Sequence, residues 1–285
     1  MKSHKTWSTP VVPEESRSIP CALCGGEAFE VYLSCEGFSY LRCTACHLAQ
    51  INPQPLKGAV EARYQQEYLA YELANERNFL ALQDRSLKDA GFTDIETRFL
   101  PQGRSSLLDV GCATGALLES LRNRGWKVRG IEIGLPSADY ARQVRNLEVY
   151  SLSLAENRFP AETFDVVLAS HLIEHLNDPA NFVREVYRIL RSGGYFLITT
   201  PNIAGFQARL FKSRWRSAIF DHLYLFSVKT LSQLLVKNGF RIEKVITWGG
   251  LAAGTAPKPI KWIFDRAAKR LGFGDVMLIK SVKTL

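Results

Sequence analysis

Apolar and polar positions change their rhythm three times along this chain of 285 residues. Met1 to Pro20 is polar, holds three prolines and shows no periodicity, which predicts a flexible tail over residues 1–20. Residues 21–56 then carry two strand-like runs, FEVYL and FSYLR, between closely spaced cysteines, and Asn52-Pro53-Gln54-Pro55 closes the segment. Ala59 to Gly91 is rich in helix formers with apolar positions at Tyr64, Tyr68, Tyr71, Phe79 and Leu82. Residues 57–100 are therefore expected to form a helical linker that bridges the two parts or covers a pocket as a lid.

From Ser105 short apolar runs alternate with amphipathic stretches, the pattern of an α/β chain with a doubly wound parallel sheet. Strands are expected at Leu107–Val110, Val128–Ile131, Phe164–Ala169 and Tyr195–Thr199. Asp178 and Pro179 open a helix whose apolar stripe is Phe182, Val183, Val186, Ile189 and Leu190, and Arg191-Ser192-Gly193-Gly194 stops it. A later helix runs from Ser227 through Leu231, Leu234 and Leu235 to Gly239, followed by a strand at Arg241–Thr247. Pro259 to Leu271 reads as a basic amphipathic helix, and Asp275 to Lys283 alternates like an edge strand.

Composition narrows the class. A hydrophobic content of 46% over this length is enough to bury a full core, and no run approaches the roughly 18 apolar residues of a membrane span. The N-terminus has no apolar stretch that could act as a leader, so a cytoplasmic address is expected. The net charge of +8 is uneven: from Ile203 onward Lys and Arg outnumber Asp and Glu by 15 to 4, against 21 to 24 before it. The basic C-terminal third could face an anionic substrate, nucleic acid or a membrane surface, or be an ordinary solvated face. The helix at 259–271 could rest weakly on anionic lipid through Lys261, Trp262, Lys269 and Arg270; packing on the sheet is the simpler reading.

Four of the six cysteines form two knuckles, Cys21-x2-Cys24 and Cys43-x2-Cys46, separated by 18 residues. Each knuckle turns two thiolates toward one side of a metal, and the spacing matches a hairpin, so a structural Zn2+ ribbon over residues 21–56 is expected on these four ligands. Cys35 and His47 fall outside the pattern.

LLDVGCATG, Leu107 to Gly115, places glycines directly after a strand and before a helix, where free backbone N–H groups meet a ligand. A dinucleotide fingerprint would put glycine at 113 and 116, but both are alanine. Asp109 at the strand end suits a cationic ligand group and would repel a pyrophosphate. Glu132, 23 residues further on at the next strand end, can accept hydrogen bonds from both hydroxyls of a ribose. Two acids around a glycine turn favour S-adenosyl-L-methionine over a dinucleotide.

With these motifs, GIEI, FDVVLASHLIEHLNDP and LRSGGYFLITTPN, the stretch from Ser105 to Phe240 resembles the class I S-adenosylmethionine-dependent methyltransferase family. HLYLFSVKTLSQLLVKNGF is similar to a segment of the subgroup that carries an N-terminal zinc ribbon. The resemblance implies a Rossmann-like, seven-stranded, mostly parallel sheet in a methyltransferase domain over residues 101–285. It implies that Asp109, Gly111, Cys112 and Gly115 line the methionine end of the cofactor, that Glu132 holds the ribose and Ile133 the adenine face, and that Ser170 meets the methionine amino group. Ser153 and Leu154 stand at the adenine edge without the usual aspartate, and Ala113 replaces a usual glycine.

Methyl transfer from a sulfonium is an in-line displacement, in which alignment alone can supply on the order of 7 to 11 kcal/mol. For an oxygen acceptor a histidine base would help, and His171 and His222 are the catalytic candidates. Glu174 and His175 could join His171 on one helical face around a divalent metal; quinone O-methyltransferases have an acid where this chain has His171, and a structural role for the pair is the preferred reading. RLFKSRWR, Arg209 to Arg216, interleaves cations with Phe211 and Trp215, which could grip a phosphate or stack on a sugar. The expected activity is O-methylation of a small-molecule, glycan or natural-product acceptor. An RNA acceptor is the alternative, though only Arg42 among Lys and Arg lies between Cys21 and Cys46. A binding or scaffold protein without turnover is a third reading.

Overall fold

Turns at the cysteine knuckles and at Gly37, whose φ is 81°, fold the N-terminal segment into a small antiparallel unit. β1 (Ser16–Arg17) pairs with β5 (Gln54–Pro55), while β2 (Phe29–Cys35), β3 (Phe38–Cys43) and β4 (Ala49–Ile51) form a meander. In this computed structural model residues 16–55, 66–250, 261, 266, 268, 269 and 272–284 are described. Tyr64, the first 15 residues and most of the expected helix at 259–271 lie outside them. Ser16 to Pro20, the end of the stretch read as a tail, is held to the meander where Asn52 bonds both the N–H and the carbonyl of Ile19.

α1 (Gln66–Ala90) and α2 (Phe92–Phe99) lead into the main sheet. Its elements follow as β6 (Ser106–Val110), α3 (Ala116–Asn123), β7 (Lys127–Ile131), α4 (Leu135–Gln143), β8 (Val149–Tyr150), β9 (Phe164–Ser170), α5 (Pro179–Ile189) and β10 (Leu190–Pro201). After α6 (Phe206–Phe211), β11 (Tyr224–Leu225) and α7 (Val228–Lys237), the chain closes with β12 (Phe240–Trp248) and β13 (Val276–Lys283). The seven strands lie in the order β12-β13-β10-β9-β6-β7-β8, parallel from β8 to β10, with β13 antiparallel to both neighbours.

Side chains on a strand alternate between faces, and the two cores follow that alternation. Leu108, Val110, Val167 and Ile198 pack with α5, α7 and the cysteine knuckles, whereas Leu107, Val166, Leu168 and Leu197 pack with α1 to α4. Phe182, Val183, Val186 and Ile189 give α5 its buried stripe, worth about 2 kcal/mol each by area. The Asp178 carboxylate accepts from the Asn181 N–H at 2.8 Å and caps the helix. The helix ends at Ile189, one residue short of the sequence expectation, because Leu190 already pairs with Phe164 in the sheet. Gly193, at φ 70°, lies in the bulge that shifts the register before Tyr195.

Asp275 to Lys283 departs from the edge-strand expectation. β13 sits between β10 and β12, buried along most of its length, and β12 is the edge. Lys280 and Lys283 interrupt its apolar run, and their ammonium groups reach the Glu243 and Glu162 carboxylates. The N-terminal meander is not separate from this fold either, since β11, from the loop after β10, pairs with β4 and makes a fourth strand of its sheet.

Candidate functional site

The carboxyl ends of β6, β7 and β9 open onto one cavity of about 1080 Å³. α1 covers it with Tyr68, Tyr71, Glu72, Glu76 and Phe79. On the β6 side the wall is a tight turn. The N–H groups of Gly111 and Cys112 both donate to the Ile131 carbonyl, at 2.8 and 3.0 Å, and residues 111, 113 and 115 take φ of 81°, 47° and 77°. Ala113 is therefore an alanine in left-handed backbone, which costs about 1 to 2 kcal/mol relative to glycine.

Glu132 ties this turn to the end of β7. One carboxylate oxygen accepts from the Ala113 N–H at 3.0 Å and the other from the Gly134 N–H at 2.7 Å. Burial raises its pKa, an effect that these two N–H groups oppose. Glu76 of α1 locks the same turn from above, accepting from the Thr114 hydroxyl at 2.9 Å and the Arg145 guanidinium at 2.6 Å.

Of the residues expected around the cofactor, Gly111, Cys112, Glu132, Ile133, Ser153, Leu154 and Ser170 lie on the cavity wall. Asp109 and Gly115 do not. Gly115 takes φ 77°, a conformation that favours glycine, and a Cβ there would meet the Leu147 side chain at 2.5 Å and Ala141 of α4 at 3.2 Å. Asp109 is buried behind the wall and borders a small cleft shared with Gln83, Ser86, Ser170 and Thr199. Burial, with the charge of Glu132, pushes its carboxyl up to about 7. At the adenine-edge position expected to lack an aspartate, the Glu156 carboxylate folds onto the N–H and hydroxyl of Ser153.

The other end of the cavity is rich in imidazole. His171 stands at the carboxyl end of β9 with φ 52°, its N–H donating to the Thr199 carbonyl at 2.8 Å, and its half-exposed ring lines the cavity. Its Nδ1 is 3.4 Å from Oε1 of Glu174. Glu174 is 1% exposed, and its Oε2 accepts from the Thr200 hydroxyl at 2.9 Å. Burial pushes the Glu174 carboxyl up, but the surrounding imidazoles outweigh it and hold the group at about 2.

Residues 173–175 form a single 3-10 turn, so His171, Glu174 and His175 do not share one face of a helix as their spacing suggested. A different partner joins them. His222, 47 residues beyond His175, brings its ring to 4.8 Å from the His175 ring. His222 does line the cavity, yet it is buried, anchored by Nδ1 to the Ser217 carbonyl at 2.8 Å, and burial pushes it down to about 4. His175 is anchored likewise, Nδ1 to the Asp221 carbonyl at 2.8 Å, and burial lowers its pKa too.

Trp215 is not available to stack on a ligand. It is 2% exposed, and its indole N–H donates to Asp275. Arg216, next to it, does line the cavity.

The four knuckle cysteines meet as their spacing requires. Cys21 and Cys46 lie 3.4 Å apart at sulfur, Cys24 and Cys43 3.5 Å, and all four sulfurs lie within 4.8 Å of one another. Four thiolates about a Zn2+ at ~2.3 Å would be ~3.8 Å apart, so the cluster fits such an ion after a small adjustment. Burial opposes ionisation of the Cys43 thiol, but the backbone N–H groups of Cys46 and Ala45 and the neighbouring thiols bring it to about 7. Cys35 and His47 stand outside the cluster.

Two features had no local signal in the sequence. Glu76 bonds a residue 38 positions away and is one charge among many on α1. Tyr40, in the meander, is fully buried and places its hydroxyl 2.7 Å from the Ile219 carbonyl and 2.9 Å from the His222 carbonyl.

Comparisons with known proteins converge on one family. A family model described as a methyltransferase domain matches residues 65–245. A protein of Mycolicibacterium smegmatis named "Probable S-adenosylmethionine-dependent methyltransferase" is 30% identical over 143 residues, 49% of this chain and 53% of that protein. The ubiquinone biosynthesis O-methyltransferase of Pseudomonas putida is 35% identical over 104 residues, covering 34% of this chain and 44% of that enzyme. The chain thus spans about half the length of the curated relatives it matches. A solved SAM-dependent methyltransferase of Thermotoga maritima shares the fold, with a TM-score of 0.53 and 23% identity over 76% of this chain and 99% of that one.

Proposed function

Because the chain belongs to the methyltransferase-domain family, whose model spans residues 65–245, we propose that it transfers a methyl group from S-adenosylmethionine to an oxygen of a small-molecule acceptor. The observation that carries the acceptor side is the His171–Glu174 pair. A half-exposed imidazole on the cavity wall has a buried carboxylate 3.4 Å behind its Nδ1, so Nε2 is left to meet a ligand proton. A carboxylate behind an imidazole orients the ring and stabilises its protonated form.

The cavity suits the methyl donor at its other end. Its volume is ample for a nucleoside and an acceptor together, and Glu132 keeps carboxylate lone pairs beyond the two that its backbone bonds use. In this reading Glu132 accepts the ribose hydroxyls, Ile133 packs on the base, and Gly111, Cys112 and Ser170 border the methionine end. Asp109 acts from behind the wall as a counter-charge to the ammonium. When bound, the cofactor supplies an electrophilic methyl group; His171 removes the acceptor proton, and α1 keeps water from the cavity.

The four knuckle cysteines hold a structural Zn2+ in this reading. A grip on RNA by this unit is disfavoured, because Arg42 is paired with Glu30 at 2.5 Å. Arg216 on the cavity wall favours an acceptor with an anionic group. Incubation with radiolabelled donor and fractionated cell extract is the test. Label in the small-molecule fraction is expected; label confined to RNA or protein, or no label with no calorimetric heat from the donor, would overturn the proposal.

A further inference from the structure

We infer that Glu174, His175 and His222 form a second metal site, one that binds a divalent transition cation at the His171 end of the cavity. Each of the three can present one ligand atom such that all lie within 4.8 Å of one another. Metal bonds of about 2.0–2.2 Å to imidazole and carboxylate require only a modest contraction of that cluster.

The tautomers are set by geometry. Nδ1 of His175 faces the Asp221 carbonyl and Nδ1 of His222 faces the Ser217 carbonyl, each at 2.8 Å. A carbonyl oxygen only accepts, so each Nδ1 carries the proton and each Nε2 keeps its lone pair. An N–H fixed by a backbone carbonyl is the usual outer support of a metal-bound imidazole. The two rings lie 4.8 Å apart with interplanar angle 77°, and two Nε2 lone pairs have nothing to donate to one another.

Glu174 supplies the strongest indication. Its side chain is 1% exposed, Oε2 is taken by the Thr200 hydroxyl, and buried Oε1 makes no hydrogen bond. Nδ1 of His171, at 3.4 Å, makes an ion-pair contact with Oε1 but no hydrogen bond, and a buried carboxylate oxygen left without one is destabilising. A cation would satisfy it and both imidazoles at once. Oε1 can also stay near Nδ1 of His171, since it has two lone pairs.

Two imidazoles and one carboxylate, without thiolate, suit Zn2+, Co2+, Mn2+ or Fe2+ better than Mg2+ or Ca2+. The site is chemically distinct from the all-cysteine cluster. His175 and His222 both line the cavity, so the remaining coordination positions face the space proposed for the acceptor. There a cation would take a hydroxyl oxygen and ease its deprotonation, a role that complements His171.

The binding claim is tested without turnover, so it stands or falls separately from the methyl-transfer reading. Full-length protein is equilibrated with Zn2+, gel-filtered and analysed for metal, alongside Glu174→Gln and His222→Gln. One equivalent fewer in each variant than in the parent is expected, whatever the cysteines hold. In a parallel titration, Co2+ added to the zinc-loaded parent, in the presence of a chelator too weak to strip thiolate-bound zinc, is expected to give visible bands without thiolate charge transfer. Equal metal content in parent and folded variants overturns the site. If a variant fails to fold, the Co2+ spectrum of the parent decides, and absence of nitrogen- and oxygen-ligated bands overturns it.

Discussion

The two ends of the cavity are built differently. The turn from Val110 to Ala116 and the end of β7 from Ile131 to Gly134 are consecutive pieces of one β-α-β unit, joined by short backbone bonds such as Gly111 and Cys112 to Ile131. The histidine end gathers residues 171–175, 216–222 and Tyr40 of the N-terminal meander, separated by up to 182 positions. The first end is shaped by local backbone geometry, the second by tertiary contacts, so damage at the first should act mainly on donor binding and damage at the second on transfer.

The sharpest division is expected from His171→Ala, which should lower methyl transfer into the accepting fraction by about 1000-fold while donor affinity, by calorimetry, changes less than about twofold. Comparable losses in both would collapse the distinction. At the other end, Glu132→Ala removes two charge-assisted bonds that shape the turn as well as the proposed ribose contact. A weakening of donor binding by about 100-fold is expected, at about 1.5 kcal/mol or more for each charged bond.

Asp109 predicts the pH response of the donor end. Its carboxyl is raised to about 7 by burial and by Glu132, so lowering the pH through 7 neutralises it, and a cationic donor prefers it ionised. Donor affinity should therefore rise about tenfold from pH 6 to pH 8, and Asp109→Asn should flatten that rise in calorimetry. The same raised pKa means the folded state holds a proton that the unfolded chain releases between about pH 4 and 7. Across that window Asp109 makes stability fall as pH rises.

Smaller effects test the joints. Tyr40→Phe removes one hydroxyl shared between the Ile219 and His222 carbonyls, with an expected cost of about 1 kcal/mol in denaturant unfolding. Transfer should fall by a few-fold with donor affinity unchanged. Ala113→Gly should raise the melting temperature slightly, by relieving left-handed backbone strain of about 1 to 2 kcal/mol against the smaller entropy that glycine adds to the unfolded chain. A drop in melting temperature would mean that the alanine methyl is held by packing.

What the sequence revealed follows the same division. The strand and turn of LLDVGCATG and the strand end before Glu132 are legible because they are local, and local geometry leaves local residue choices. Gly115 is legible as a glycine of that turn, where φ is 77°, but its approach to the Leu147 side chain is not, since Leu147 comes from beyond α4. Trp215 looked like a stacking surface because its flanking cations are visible in sequence and the covering Asp275 is not. His222 stands out as a candidate in the sequence, whereas its partnership with His175 depends on tertiary contacts such as the docking of β11 on β4. The place of β13 inside the sheet could not be read from alternation, which gives faces and not neighbours.

The pairing of β4 with β11, tightened by Tyr40, bears on how this architecture can be inherited and re-engineered. A meander that supplies a sheet partner to the loop bearing His222 is not an interchangeable cassette. A graft of another protein's N-terminal unit onto this core would re-thread the loop from Ile219 to Leu225, and with it the acceptors that the cavity admits.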